Sequence, residues 1–208
     1  MTQLAAPPPR PATEPAAAGS SALMTVEAFR GEPDHEAFEL IDGRKVERSV
    51  SYKSAWIGGQ FFWHFQTYAN EHGGHACQNG AEFRCFGDTR LNMRKPDATY
   101  IAGGRLAFPP DGPCEIPPDV AVEVISPTDT ADAVDKKRML YLASGVRCVL
   151  VVHPASRTVD VWRESRCEVL FDTDTLELPE VMPGLRIPLT TVFPPAEADP
   201  VGELPAES

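Results

Sequence analysis

The sequence predicts one mixed α/β domain: a central β-sheet with helices packed against it and a β-hairpin near the N-terminus. Three observations carry that prediction. Short apolar runs typical of strands alternate with longer segments of helical periodicity, most clearly in the order strand, helix, strand between Asp119 and Pro154. The dipeptide Asp42-Gly43 sits between two short strand-like runs, the composition of a two-residue hairpin turn. The chain of 208 residues is long enough for one hydrophobic core and does not call for a second.

Residues 1–22, MTQLAAPPPRPATEPAAAGSSA, hold few of the large apolar side chains that offset ordering entropy, and are expected to be disordered. The domain is assigned to 23–193, and the acidic stretch 194–208 to a second disordered tail. Inside the domain, AFELIDGRKVER forms the hairpin. SAWIGGQFFWHFQTYANEHGG then places Ile57, Phe61, Phe65 and Tyr68 on one helical face, with Ser54 as cap and Gly73-Gly74 as stop. Gly58-Gly59 weakens that helical signal, since each glycine costs about 1 kcal/mol in a helix interior. Ala76 to Phe86 and DATYIA read as strands, and the Pro/Gly-rich segment from Gly103 to Pro118 as a surface loop. DVAVEVI is a strand, TADAVDKKRMLYLASG a helix ended by Gly145, and VRCVLVVHP and RTVDVWR two strands joined by a tight turn. A strand–helix–strand order implies a crossover connection and a parallel neighbour for the first strand.

Charge narrows the function classes. The formal net charge is −11, and the domain without its tails still has 18 basic against 25 acidic residues. Non-specific binding to a polyanion is therefore disfavoured, and any nucleic-acid role must rest on a local basic surface, on metal ions or on a second subunit. No long apolar run suggests a transmembrane helix and no signal-peptide core is visible, so membrane association is not expected. Five scattered cysteines without CxxC spacing fit reduced thiols and a cytoplasmic location.

The candidate site begins with a glutamate in an apolar strand. In VAVEVI, Val120, Val122 and Val124 line one face, while Glu123 lies with Ala121 and Ile125 on the other. A buried carboxylate costs several kcal/mol unless it is paired, protonated or bound to a metal. A divalent cation shared with another carboxylate is the simplest compensation, and hard oxygen ligands favour Mg²⁺ or Mn²⁺. Asp119 is four residues away on the same strand, about 13 Å at the rise of an extended chain, and is too far to share one ion. The partner must come from a neighbouring strand, and Asp97, directly after Pro96, is the candidate. Glu39 in FELI is a third acid within a strand pattern; single acids of this kind are ordinarily edge or solvent-face residues.

RKPDATYI, then PDVAVEVISPTDT, then KKRMLYLASGVRCVLVV resemble the PD-(D/E)XK nuclease superfamily, and its Uma-type branch of restriction-endonuclease-like proteins most closely. The similarity runs from Met24 to Phe193, and FELIDG and VEVISPTDT followed by YLASGV are the stretches most particular to that branch. The resemblance implies a restriction-endonuclease-like fold and a Mg²⁺-dependent endonuclease that hydrolyses DNA phosphodiester bonds to 5′-phosphate ends. It further implies a metal held by Asp97 and Glu123 with Glu39 supporting it. The superfamily lysine stands two residues after the second acid, where this chain has Ile125; members of the branch are similar in carrying it on the following helix, at the position of Lys137.

The helix itself favours the same residue. Lys137 has Ala133, Val134, Leu140 and Tyr141 as its three- and four-residue neighbours, a face that packs on a sheet, whereas Lys136 has Asp132 and Met139 among its own. A lysine whose stem merely covers apolar surface is the alternative. Weaker signals are His72, His75 and Cys77, which lack the second ligand pair of a closed zinc site, and His153 at a strand end. Basic residues fall in three small groups, Arg44 to Lys53, Arg84 to Lys95 and Lys136 to Arg138, suited to phosphate contacts or to a solvated surface. The expectation is therefore a DNA endonuclease with Glu39, Asp97, Glu123 and Lys137 as its site, with a homodimer compatible with it. The rivals are an inactive nuclease-fold protein binding nucleic acid or a protein, and a metal-dependent hydrolase of small phosphoesters.

Overall fold

A computed structural model describes residues 23–48 and 50–195; the predicted tail at 1–22 and all but the first two residues of that at 194–208 lie outside the described residues. A short helix α1 (Val26–Arg30), which the sequence reading did not anticipate, is capped by the Thr25 hydroxyl. Strands β1 (Phe38–Ile41) and β2 (Arg44–Glu47) pair antiparallel around Asp42-Gly43, whose φ angles of 48° and 73° are those of the favoured hairpin turn. Helix α2 (Tyr52–His72) starts one turn earlier than expected, because Ser51 and not Ser54 is the cap. Ser51 is extended and its hydroxyl accepts from the Ser54 N–H at 3.0 Å, while Ser54 is buried inside the first turn.

Strand β3 (His75–Gln78) is shorter than the predicted Ala76 to Phe86, since Gly80 turns the chain at φ 104° and Phe83 makes only isolated bridges to Arg94 and Cys114. Then come β4 (Ala98–Ile101), β5 (Val120–Val124), α3 (Ala131–Ala143), β6 (Cys148–His153) and β7 (Thr158–Arg163), all at predicted positions. Three further strands follow that the sequence reading did not resolve: β8 (Arg166–Phe171), β9 (Thr175–Leu178) and β10 (Met182–Pro188). The central sheet has the order β3-β4-β5-β6-β7-β8. Only β5 and β6 run parallel, joined by the predicted crossover through α3.

The sheet separates two cores. On one face Val120, Val122, Val124, Leu150 and Val152 pack with Ile57, Phe61 and Phe65 of α2 and with Leu176, Met182 and Ile187 of the β9–β10 hairpin. On the other, Ala121, Val149 and Val151 pack with Tyr141 of α3 and with Phe83 and Phe86. A third cluster of Val26, Phe29, Leu40 and Met93 fastens α1 and the first hairpin to the chain before β4. Burying each of these large side chains contributes about 1.5–3 kcal/mol, so the hairpin is held in place by its own small core.

Candidate active site

Strand parity sets the site. Glu123 shares the face of Ala121, which looks toward α3, while its valine neighbours look toward α2. Register brings Asp97 beside it. Ala98 pairs with Val122, and the ladder continues one step as the Asp97 N–H donates to the Val122 carbonyl at 2.9 Å. Asp97 Oδ2 then accepts from the Val124 N–H at 2.8 Å, clamping its side chain to the end of β5. Asp97 Oδ1 is 3.8 Å from the Arg48 guanidinium. From behind, α2 approaches so closely that a Cβ at Gly58 would lie 3.3 Å from both the Cβ and the carbonyl oxygen of Asp97. The glycine that weakened the helical signal is therefore where helix and site meet.

The first hairpin delivers Glu39. Its Oε1 accepts from the Lys95 N–H at 2.7 Å, and its Oε2 faces Arg94 at 3.7 Å and Lys137 Nζ at 3.4 Å. From α3, Lys137 Nζ reaches Glu123 Oε2 at 2.7 Å, so one ammonium joins two carboxylates from distant parts of the chain. Lys137 is 22% exposed, whereas Lys136 is 77% exposed and pairs with Asp132 in solvent. One turn beyond Lys137, the buried Tyr141 hydroxyl donates to Glu123 Oε1 at 2.8 Å. All four predicted site residues line a single cavity of about 180 Å³, together with Arg48, Arg94 and Arg138 and with Val46, Val50 and Val134.

The electrostatics follow from burial and from three acids in one place. Burial, with Asp97 and Glu39 nearby, pushes the Glu123 carboxyl up to about 7 against the pull of Lys137. Asp97 is also raised, chiefly by burial, against Lys137, the Val124 N–H and Arg48. Glu39 moves the other way. Burial opposes its ionisation, but Lys137, Arg94 and the Lys95 N–H together hold it ionised. Burial likewise disfavours the Lys137 ammonium, yet Glu123 and Glu39 outweigh it and the amine stays protonated.

Does the site suit a divalent cation? Its donors are carboxylate oxygens only, and the cost of burying their charge, which lifts Glu123 and Asp97, is what a cation between them would offset. Among the described residues, no three His, Cys, Asp or Glu side chains are grouped to hold an ion by themselves. Mg²⁺ itself needs only one or two carboxylates, because it keeps water and substrate oxygens in its other positions. The residues fit such an ion at Asp97 and Glu123.

Residues outside this cluster find other roles. Asp119, set aside by strand arithmetic, is buried and accepts from the Ala102 N–H at 2.8 Å and from Arg105 at 2.5 Å. His72 and His75 bond the Tyr68 and Leu106 carbonyls, and His153 pairs with Asp160 at 3.1 Å. Sequence reasoning missed Tyr141, counted only as an apolar wall, although its four-residue spacing from Lys137 is a visible signal. It also missed the separate duties of Arg94 and Lys95, for which the sequence offers no signal beyond their place before Pro96-Asp97.

A mixed sheet with one parallel pair, a crossover helix carrying the lysine and carboxylates on adjacent strands defines a restriction-endonuclease-like fold. The family Uma2, described as "putative restriction endonuclease", matches residues 24–190, and the chain belongs to it. The structure is also similar to the crystal structure of a "putative nuclease belonging to DUF820" from Anabaena variabilis. The TM-score is 0.66 at 19% identity, over 82% of this chain and 97% of that one, a likeness of fold. No curated protein matches the chain.

Proposed function

We propose that the protein is a metal-dependent endonuclease that hydrolyses DNA phosphodiester bonds, with Asp97 and Glu123 holding Mg²⁺ or Mn²⁺ and Glu39 supporting them. The observation that carries this reading is the meeting of two buried carboxylates, Glu39 from β1 and Glu123 from β5, on the Lys137 ammonium, in a cavity that Asp97, just before β4, also lines. Membership of a nuclease family supports it.

A cation held by Asp97 and Glu123 would supply Lewis-acid polarisation of the scissile phosphate and of a water molecule. The protein's residues do the rest. Asp97, fixed by the Val124 N–H, and Glu123, fixed from α3, present oxygens from two adjacent strands whose spacing the sheet sets. Lys137 is held protonated, so it serves as a donor to developing negative charge or orients the attacking water, and does not act as a base. Arg94 and the Lys95 N–H keep Glu39 ionised, and Glu39 in turn aims Lys137. Arg48 and Arg138, which line the cavity, supply positive charge for phosphates of the flanking chain, in a protein that is acidic as a whole.

The test is nicking of supercoiled plasmid with Mg²⁺ or Mn²⁺, comparing the wild type with Glu123→Gln and Lys137→Met. Loss of cleavage in both variants is expected. Tight cation binding without cleavage of DNA or RNA by the wild type would favour a binding protein, and turnover of small phosphomonoesters or diesters alone would favour the other rival.

A further inference from the structure

We propose that Tyr141 is a positioning residue that confines Glu123 to one coordinating oxygen, and thereby sets the cation preference of the site. The inference deepens the metal-site reading above and rests on it.

Helix α3 grips Glu123 twice. Lys137 takes Oε2 from the cavity side, where its own side chain is 22% exposed. One turn on, Tyr141 takes Oε1 from the interior, with its ring fully buried and stacked on Phe86 at 4.3 Å between centroids. Oε1 thus points into the protein and Oε2 into the cavity. The two grips differ in what an arriving cation does to them. A dication at Oε2 competes with the Lys137 ammonium, whereas the Tyr141 hydroxyl has no access to the cavity and keeps its bond. Tyr141 then holds Glu123 in one orientation while the lysine yields.

A carboxylate pinned in this way offers one oxygen. Mg²⁺ and Mn²⁺ accept single oxygens in a near-octahedral shell, whereas Ca²⁺ is larger and readily takes a carboxylate through both oxygens. The tyrosine therefore favours the smaller ions by withholding Oε1. Lys137 and Tyr141 stand four residues apart, the spacing that puts two side chains over the same point of the neighbouring strand.

Tyr141→Phe keeps the ring, its stacking and its volume, and removes only the hydroxyl. The matched control is Tyr100→Phe, another buried tyrosine, whose hydroxyl donates to the Gly73 carbonyl at 2.9 Å. Calorimetric titration with Mn²⁺ and with Ca²⁺, in the absence of nucleic acid, reads the effect without reference to turnover. Mn²⁺ affinity is expected to fall about tenfold or more in Tyr141→Phe, the usual consequence of losing a ligand's supporting hydrogen bond. Ca²⁺ affinity should fall less or rise, and Tyr100→Phe should change neither while losing similar thermal stability. Equal loss for both ions, or unchanged Mn²⁺ affinity in Tyr141→Phe while Glu123→Gln abolishes binding, overturns the inference and leaves the metal site standing. Unchanged Mn²⁺ affinity in Glu123→Gln overturns the metal-site reading itself.

Discussion

Two neighbouring glycines in α2 offer a matched pair of substitutions, Gly58→Ala and Gly59→Ala. Alanine in a helix interior is worth about 0.5–1 kcal/mol over glycine, because it restricts the unfolded chain and shields the backbone. At Gly59 an added Cβ meets nothing within 4 Å, so the full gain is expected. For a domain of this size about 1 kcal/mol corresponds to a rise of roughly 2–4 °C in melting temperature. At Gly58 the same Cβ lies 3.3 Å from the Cβ and the carbonyl oxygen of Asp97. Asp97 cannot easily yield, since its N–H bonds Val122 and its carboxylate bonds the Val124 N–H. Overpacking of this kind costs about 1–3 kcal/mol, which cancels the propensity gain and leaves a net loss of up to about 2.5 kcal/mol. The helix and the aspartate must also separate by a few tenths of an ångström. A full ångström of misplacement at a reacting centre costs about a hundredfold in rate, so a drop of severalfold in cleavage is expected for Gly58→Ala and none for Gly59→Ala. Thermal melts followed by circular dichroism and initial nicking rates measure both. A Gly58→Ala protein as stable and as active as Gly59→Ala would refute the claim that this contact positions Asp97.

Lys137→Met leaves Glu39 and Glu123 buried without their shared cation, and should destabilise the metal-free protein by about 3–5 kcal/mol at pH 8 in urea titrations. The loss should shrink toward pH 5, because Glu123, already raised to about 7, takes up a proton there; a pH-independent loss would show that the pair is not coupled. Mn²⁺ binding should release a proton from Glu123 below pH 7, so that affinity climbs about tenfold per pH unit up to that point and then levels. Calorimetry in buffers of different ionisation enthalpy counts that proton, and identical heats in all of them would contradict the raised carboxyl. Asp119→Asn should cost about 1–3 kcal/mol by weakening bonds to Arg105 and the Ala102 N–H, yet leave Mn²⁺ affinity untouched. A shift in that affinity would return Asp119 to the site.

Much of the architecture was legible because local signals agreed with the global fold. The Asp42-Gly43 turn, the apolar stripe of α2 and the run β5–α3–β6 each carry their own periodicity or turn chemistry. β8 to β10 were harder to read. RCEVLF is an edge strand with most of its residues in solvent, so no buried stripe marks it, and Gly184 with Pro183 interrupts the pattern of β10. The predicted strand through Phe86 failed at Gly80, where a positive φ ends the pairing whatever the apolar content downstream.

The site divides in the same way. From the sequence by itself came the anomaly of Glu123 among valines, the exclusion of Asp119 by strand rise, and the choice of Lys137 over Lys136 by helical face. These are one-dimensional facts of period and spacing. Only the tertiary structure decided that Glu39 reaches the same point from the first hairpin, that Gly58 is glycine because Asp97 stands against it, and that Tyr141 grips the oxygen Lys137 leaves free. Each of those depends on which surfaces meet and at what distance, and segments about 20 to 100 residues apart acquire such distances only when the sheet closes and both cores pack.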